Sequence, residues 1–338
     1  MKLAVPAHRL HARATLGHLR ALPARAPAVA GEFYPDDGAA LASLIDSSLA
    51  GAQAALGARP LAIVSPHAGY AFCGRIIAEA WRQTWCQAFD LIVLLGAAHA
   101  PTGFDGISVW TQGAWRTPLG LAGVDVAAGR ALIEADPADC VSDLLPHQYE
   151  HSIEIQVPFA QRLFPRVPIL PVVVACRDAE RCGRLGAAVA AVARERRTLI
   201  VASSDLSHYL PWAEAERIDR TTLQAVATLD PEALRRTIAT HMAGRTPGLV
   251  TCACGEAAIR VAMTAARLLG AARGEVLAYA NSAEVSYGDP HAVVGYGAVA
   301  FVPWPAQRGR HSSRLLKKAE HKAAGTRRRR VSEERGIS

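Results

Sequence analysis

Three apolar runs in this sequence end in residues that can hold a metal or carry a proton. The run 61–65 leads into Pro66-His67-Ala68-Gly69-Tyr70, the run 91–95 into Gly96-Ala97-Ala98-His99, and the run 199–202 into Ser203-Ser204-Asp205-Leu206-Ser207-His208. In open α/β sheets ligands bind beyond the carboxyl ends of the strands, so three strand ends that each carry imidazole or carboxylate should converge on one edge. Two further segments carry reactive types. Cys254, in Thr251-Cys252-Ala253-Cys254-Gly255-Glu256, stands just before a helical pattern. A helix N-terminus there would favour its thiolate. Glu150 and His151 open the stretch Glu150-His151-Ser152-Ile153-Glu154-Ile155-Gln156, read as a helix start with His151 and Ile155 on one face.

Each of these residues also has a plain structural reading. His67 could be a turn histidine bonding a carbonyl, and His99 could simply close a buried strand. Cys254 could be a small buried hydrophobe with Cys252 as the rival ligand. Asp205 could cap a following helix. Glu150 and His151 could mark a structural helix start, and Cys73 could face either pocket or core.

The elements that must position these residues follow from periodicity. Strands are expected at 61–65, 91–95, 106–110, 169–174, 199–202, 276–280 and 293–301. Several are continuous apolar runs of the kind buried on both faces. Helices are expected at 38–55, 74–84, 124–135, 152–163, 179–194, 213–227 and 255–269. Asp230-Pro231-Glu232 opens another, with aspartate as cap and proline in the first turn. Such alternation predicts an α/β fold with a mixed, largely parallel sheet flanked by helices. Residues 1–26 read as a flexible arm, 27–304 as a single domain and 305–338 as a basic, disordered tail. The arm, with Arg9, Arg13, Arg20 and Arg25, lacks the compact apolar stretch of a secretory signal. It resembles a transit peptide or an extended start.

The net charge of +7 belongs to the tail. Residues 307–338 hold eleven Lys/Arg and three Asp/Glu, a net of +8, which leaves the rest of the chain at −1. A nucleic-acid face on the folded body is therefore not expected. No apolar run approaches the roughly 18 residues of a membrane span. The seven cysteines are odd in number and show no repeated spacing, which fits a reduced, cytoplasmic protein.

Taken in order, these segments resemble the Memo family, whose microbial members often carry the name AmmeMemoRadiSam system protein B. The resemblance runs from Ala30-Gly31-Glu32-Phe33-Tyr34-Pro35 through the His67 turn with Cys73-Gly74, the Gly96…His99 turn, Arg116-Thr117-Pro118-Leu119 and the 150–158 block. It continues through Ser203 to Tyr209, Cys254-Gly255 and Val294-Gly295-Tyr296, and spans roughly residues 28–303. It implies a fold similar to the class III extradiol dioxygenases, which use non-haem Fe(II). It also implies a metal site of His67, His99 and Cys254, with Asp205 and His208 as acid/base residues and Tyr70, Glu150 and His151 lining the pocket. In the dioxygenase relatives the third ligand is a carboxylate. The family usually reads Gly-Pro-Ser-His-His at the second ligand, whereas this chain reads Gly96-Ala97-Ala98-His99-Ala100, keeping the first histidine and losing the second.

Two imidazoles and a thiolate suit iron or copper, with zinc as a third option. The resemblance thus implies a non-haem metal-dependent oxidoreductase acting on a small molecule. One alternative is a non-catalytic metal- or partner-binding protein that works with a radical S-adenosylmethionine protein, as the family's naming suggests. Another is a metal-free hydrolase with Cys254 as nucleophile and His208 or His67 as base. Oligomer formation is compatible with the family, but no interface is legible.

Overall fold

The computed structural model describes residues 23–304 apart from 101, 102, 177 and 245. The expected tail therefore lies outside the described residues. Nine strands form one mixed sheet: β2 (Ala62–Ser65), β3 (Leu91–Gly96), β4 (Ile107–Val109), β7 (Cys140–Val141), β8 (Ile169–Val174), β9 (Thr198–Ser203), β10 (His208–Leu210), β11 (Arg273–Asn281) and β12 (Val293–Val302). A small separate sheet holds β1 (Ala24–Arg25), β5 (Ala114–Thr117) and β6 (Gly120–Gly123). In the large sheet the order is β10-β12-β2-β9-β3-β8-β4-β7, with β11 also paired to β12. The centre, β2-β9-β3-β8, is parallel, while β12 and β4 join it antiparallel. The expected mixed sheet flanked by helices is what forms.

The central strands are apolar but for Ser65, Thr198 and Ser203 at their ends, because helices cover both faces. Along β3, Leu91, Val93 and Leu95 point into one core. That core is shared with α3 (Val126–Ala135), α6 (Ala179–Ala193), α7 (Trp212–Ala227), α8 (Pro231–Ala243) and α9 (Glu256–Leu268). Ile92 and Leu94 point into the other, shared with α1 (Gly38–Gly51), α2 (Tyr70–Arg82) and α5 (Val157–Leu163). The period of two in the side chains thus divides one run between two layers. Aspartates cap four of these helices: Asp37, Asp125, Asp178 and Asp230 each accept a backbone N–H from the first turn. The short α4 (Leu145–Gln148) precedes the site segment.

Two expectations need correction. Residues 24–26 do not belong to a flexible arm. Ala24–Arg25 pairs in parallel with β5, and Arg25 is buried. Its guanidinium donates to Glu154 Oε2 (2.6 Å), His147 O (2.6 Å) and Glu150 O (2.6 Å), and lies 4.1 Å over the Trp115 ring. An arginine with so many buried partners is held in the fold, whatever its neighbours suggest. Second, the expected helix over 152–163 is a three-residue 3₁₀ turn, Glu154–Gln156, followed by α5. Glu150, Ser152, Glu154 and Gln156 are all fully buried, and each bonds elsewhere in the structure rather than along a helix face.

Candidate metal centre

The three strand ends are level. Ser65 pairs with Ser203, and Leu95 pairs with Ala202. His67, His99 and Asp205 therefore leave the sheet together. Two close backbone approaches complete the site. A Cβ on Gly96 would lie 2.4 Å from both Ser152 Oγ and Ile153 Cγ1, so only glycine lets the 150–153 segment sit against the end of β3. A Cβ on Gly255 would lie 2.4 Å from Ser203 O, so glycine there lets Cys254 reach the end of β9.

His67 is buried, and its ring is oriented by a chain of fully committed hydrogen bonds. The Trp81 indole N–H donates to Gln156 Oε1 (2.9 Å). That fixes the Gln156 amide so that Nε2 donates to Pro66 O (2.8 Å) and Ser203 Oγ (2.9 Å). The Ser203 hydroxyl spends its proton on Ser152 O (2.6 Å). It can therefore only accept from His67 Nδ1, 3.1 Å away. The neutral ring carries its proton on Nδ1, and Nε2 keeps a lone pair. Cys254 Sγ sits 3.1 Å from that Nε2, so the thiol S–H donates to it.

His99 is set in the same sense by Glu150. Its Nδ1–H donates to Oε1 (3.0 Å) and its backbone N–H to Oε2 (2.5 Å). Ser152 N–H (2.8 Å) and Ala100 N–H (3.3 Å) take the remaining positions on the carboxylate. Nε2 of His99 is thereby left as a lone-pair donor. One ligand nitrogen from each of His67, His99 and His151 lies within 4.8 Å of the other two. The ring centroids are 4.7–5.4 Å apart.

Electrostatics follow from burial and from these partners. Burial, with His99 and His151 close by, pushes His67 well below the ordinary imidazole range. Burial works to lower His99, but the hydrogen bond and charge of Glu150, with Asp205, raise it instead. Burial works to raise Glu150, yet His99 and the N–H groups of Ser152 and His99 hold it well below the usual carboxylate range. Asp205 accepts the His67 backbone N–H on Oδ1 (2.7 Å), and burial pushes its carboxyl up to about 7 against the N–H groups and His99. His208 donates Nδ1–H to Leu206 O (2.9 Å), and burial lowers its value.

The sequence-derived residues divide accordingly. His67 and His99 gather with His151, while Cys254 meets His67 alone of the three (3.1 Å) and Asp205 accepts the His67 backbone N–H. His208 and His151 line the cavity of about 610 Å³ that opens from this group. Asp205 caps no helix, since strand His208–Leu210 follows it. Glu150 is not pocket lining. It is fully buried and works through His99. Tyr70 does not face the cavity: its hydroxyl donates to Ile155 O (2.7 Å) and its ring packs on Tyr34 and Phe159. Cys73 and Cys252 are buried in the two apolar cores, whereas Cys254 meets His67. The expected helix-dipole effect on Cys254 is overcome: burial and the nearby Asp205 push the thiol well above its ordinary range. Sequence reading missed Gln156, Ser203 and Trp81 as the supports of His67. The available signal was polar residues at every second position of 150–156, a spacing no amphipathic helix needs.

Comparison with known proteins places the chain in a family. The family model described as Memo-like protein matches residues 25–300. This chain belongs to the Memo-like family. A MEMO1 family protein of Aeropyrum pernix is 38% identical over 288 residues, covering 81% of this chain and 98% of its own length. MEMO1 family proteins of Nitrosopumilus maritimus (34% identical) and Aquifex aeolicus (36% identical) each cover 82% of this chain and 99% of their own length. A solved structure of an uncharacterized Escherichia coli K12 protein matches 72% of this chain with a TM-score of 0.47 and 14% identity. The family match begins at Arg25, the residue whose guanidinium anchors β1 to the site segment. Among the described residues no helix is long and apolar enough to cross a membrane.

Proposed function

We propose that this member of the Memo-like family binds a redox-active metal through His67, His99 and Cys254 and acts as a non-haem metal-dependent oxidoreductase on a small organic substrate. The observation that carries the reading is the pair of committed Nδ1 atoms. Ser203 takes the Nδ1–H of His67 and Glu150 that of His99, so both rings keep Nε2 as the donor atom. Outer partners of this kind fix tautomer and raise ligand basicity at metal sites. The residues present therefore fit a metal.

Imidazole nitrogens with one sulfur suit iron or copper, with zinc as a third option. His151 stands within reach as a further nitrogen. The S–H of Cys254 now points at His67 Nε2, and a cation competes with that proton for the same lone pairs. When bound, the metal supplies Lewis-acid and electron-transfer chemistry beside the cavity. The chain's own groups manage protons and orientation. Asp205, pushed up to about 7, holds or releases a proton near neutral pH. His208, with Nδ1–H committed to Leu206 O, accepts a proton at Nε2.

A second reading is a metal-binding protein without turnover that serves a partner, such as a radical S-adenosylmethionine protein. It draws on Cys254 standing where the dioxygenase relatives have a carboxylate. The metal-free cysteine hydrolase gains no support from the neutral S–H···N pair, since burial disfavours both thiolate and imidazolium.

The test is the metal content of protein purified anaerobically without a metal-binding tag. Wild type should hold near-stoichiometric iron or copper, and His67→Ala, His99→Ala and Cys254→Ser should each lose it. Retention in Cys254→Ser together with loss in His151→Ala would move the third ligand to His151. A wild-type protein that carries no metal and takes up none of Fe(II), copper or Zn(II) would end the reading.

A further inference from the structure

The cavity above the histidines has an unusual wall. Phe33, Phe72, Tyr209 and Tyr287 line it together with two exposed carboxylates, Glu32 and Asp289. Three of the rings are left substantially in water: Phe72 is 38% exposed, Tyr209 57% and Tyr287 65%. Rings of this size are ordinarily covered, and a cluster left open around a cavity marks a place that something else covers. Phe72 and Tyr287 already meet edge-to-face with centroids 5.4 Å apart, so the two sides of the mouth come close enough to contact one guest. Tyr209 is held at φ 66°, in the left-handed region that side chains seldom adopt. Backbone in that region persists where its surroundings impose it, and such positions cluster at ligand sites.

The charge of the wall is one-sided. No lysine or arginine lines the cavity. Lysine is absent from the described residues altogether, since the chain's lysines are at 2, 317, 318 and 322. The nearby Arg75 is turned to Glu284 (3.2 Å). Aromatic faces attract cations through their quadrupoles, and carboxylates at the same mouth add attraction of the same sign. An anionic ligand such as a phosphate ester or a carboxylic acid would meet Glu32 and Asp289 at the mouth with no lysine or arginine to receive it, the basic groups of the lining being His151 and His208.

We propose that the mouth of this cavity selects an organic cation with an aromatic body, of the arylalkylammonium class, as the substrate of the site. The ammonium group lies between Asp289 and the Phe72–Tyr287 ring pair, and the apolar body extends towards Phe33 and the histidines. This deepens the reading given above and rests on it for the role of the cavity. It does not rest on the metal for binding.

The test is calorimetric titration of the full chain, metal-free and Zn(II)-loaded, with three probes of similar shape: 2-phenylethylamine, 2-phenylethanol and 3-phenylpropanoate. The amine should bind at least about tenfold more tightly than either of the others. Tyr287→Ala and Asp289→Asn change exposed residues outside the metal-binding set. Each should weaken the amine about three- to tenfold, and Asp289→Asn should leave 2-phenylethanol unchanged. Circular dichroism of both variants checks that the fold is kept. No amine binding, equal binding of the three probes, a preference for the anion, or indifference to both substitutions would each overturn the proposal. A preference for the amine in protein that takes up no metal would uphold the cation site while removing the metal reading. Bound metal with no preference for the amine would do the reverse.

Discussion

Glu150 holds His99 at two points, taking the ring Nδ1–H on Oε1 at 3.0 Å and the backbone N–H on Oε2 at 2.5 Å. With Ser152 and Ala100 also donating, all four lone-pair positions of a fully buried carboxylate are filled by donors. A group so placed fixes both where the histidine stands and which nitrogen it offers.

Replacing Glu150 by glutamine keeps the shape but turns one acceptor into a donor. An amide N–H₂ would then face either the His99 ring and Ser152 N–H or the two backbone N–H groups of the turn. Metal affinity should fall about 10- to 100-fold, and folding stability by about 1–3 kcal/mol. Competition with a chelator of known affinity reads the first and urea unfolding the second. Unchanged affinity in Glu150→Gln would show that His99 is not a ligand oriented by this carboxylate.

Asp219 offers a pH test away from the metal centre. Its carboxylate, on α7, accepts Ser207 N–H (2.9 Å) and the Tyr279 hydroxyl (3.0 Å), which ties the loop carrying Asp205 and His208 to the β11–β12 pair. Burial, partly offset by these bonds, pushes its carboxyl up to about 6. The carboxyl of the unfolded chain ionises near its ordinary value of 3.8, so between these limits the folded state binds the extra proton. Stability therefore falls as pH rises from about 4 to 6, by roughly 3 kcal/mol, and the loss is complete above that window. Asp219→Asn removes the titration. Urea midpoints measured from pH 4 to 8 should decline more steeply in wild type than in the variant, in which Asp205 still titrates. Parallel profiles for the two proteins would refute the assignment.

Arg25→Met would leave Glu154 buried without its counter-charge, and would free the carbonyls of His147 and Glu150 that the guanidinium now satisfies. The loss should be about 3–5 kcal/mol, visible as a lowered urea midpoint. A chain that begins at residue 27 should lose as much. If either protein unfolds like wild type, the first strand is not part of the stable body.

The four central strands and three of the site residues were legible because buried parallel strands leave a plain record, an apolar run that stops where the chain turns. His67, His99 and Asp205 each stand just past such a stop. Cys254 was legible only through the ordered resemblance, since nothing local separates it from Cys252; burial in the apolar core is what distinguishes the latter. Tyr70 was misread because its neighbours in sequence face the site. As the first residue of α2 it turns with the helix into the core. Arg25 was misread because a lone arginine among alanines and prolines looks solvated, and its partners lie more than 120 residues away. The 150–156 segment was misread because its apolar residues satisfy a helical pattern, and burial of all the intervening polar groups cannot be seen from spacing alone.

That segment has a consequence for how the chain can change over time. Glu150 serves His99, Ser152 receives Ser203 on its carbonyl, Glu154 receives Arg25, and Gln156 serves Ser203 and through it His67. The four tasks are packed into seven residues with no spare length between them. Inserting or deleting a single residue within 150–156 would displace the groups downstream of the change from their partners. Substitutions can be tolerated here one at a time, but length cannot. This stretch should therefore keep its residue count across relatives even where its surroundings gain or lose residues.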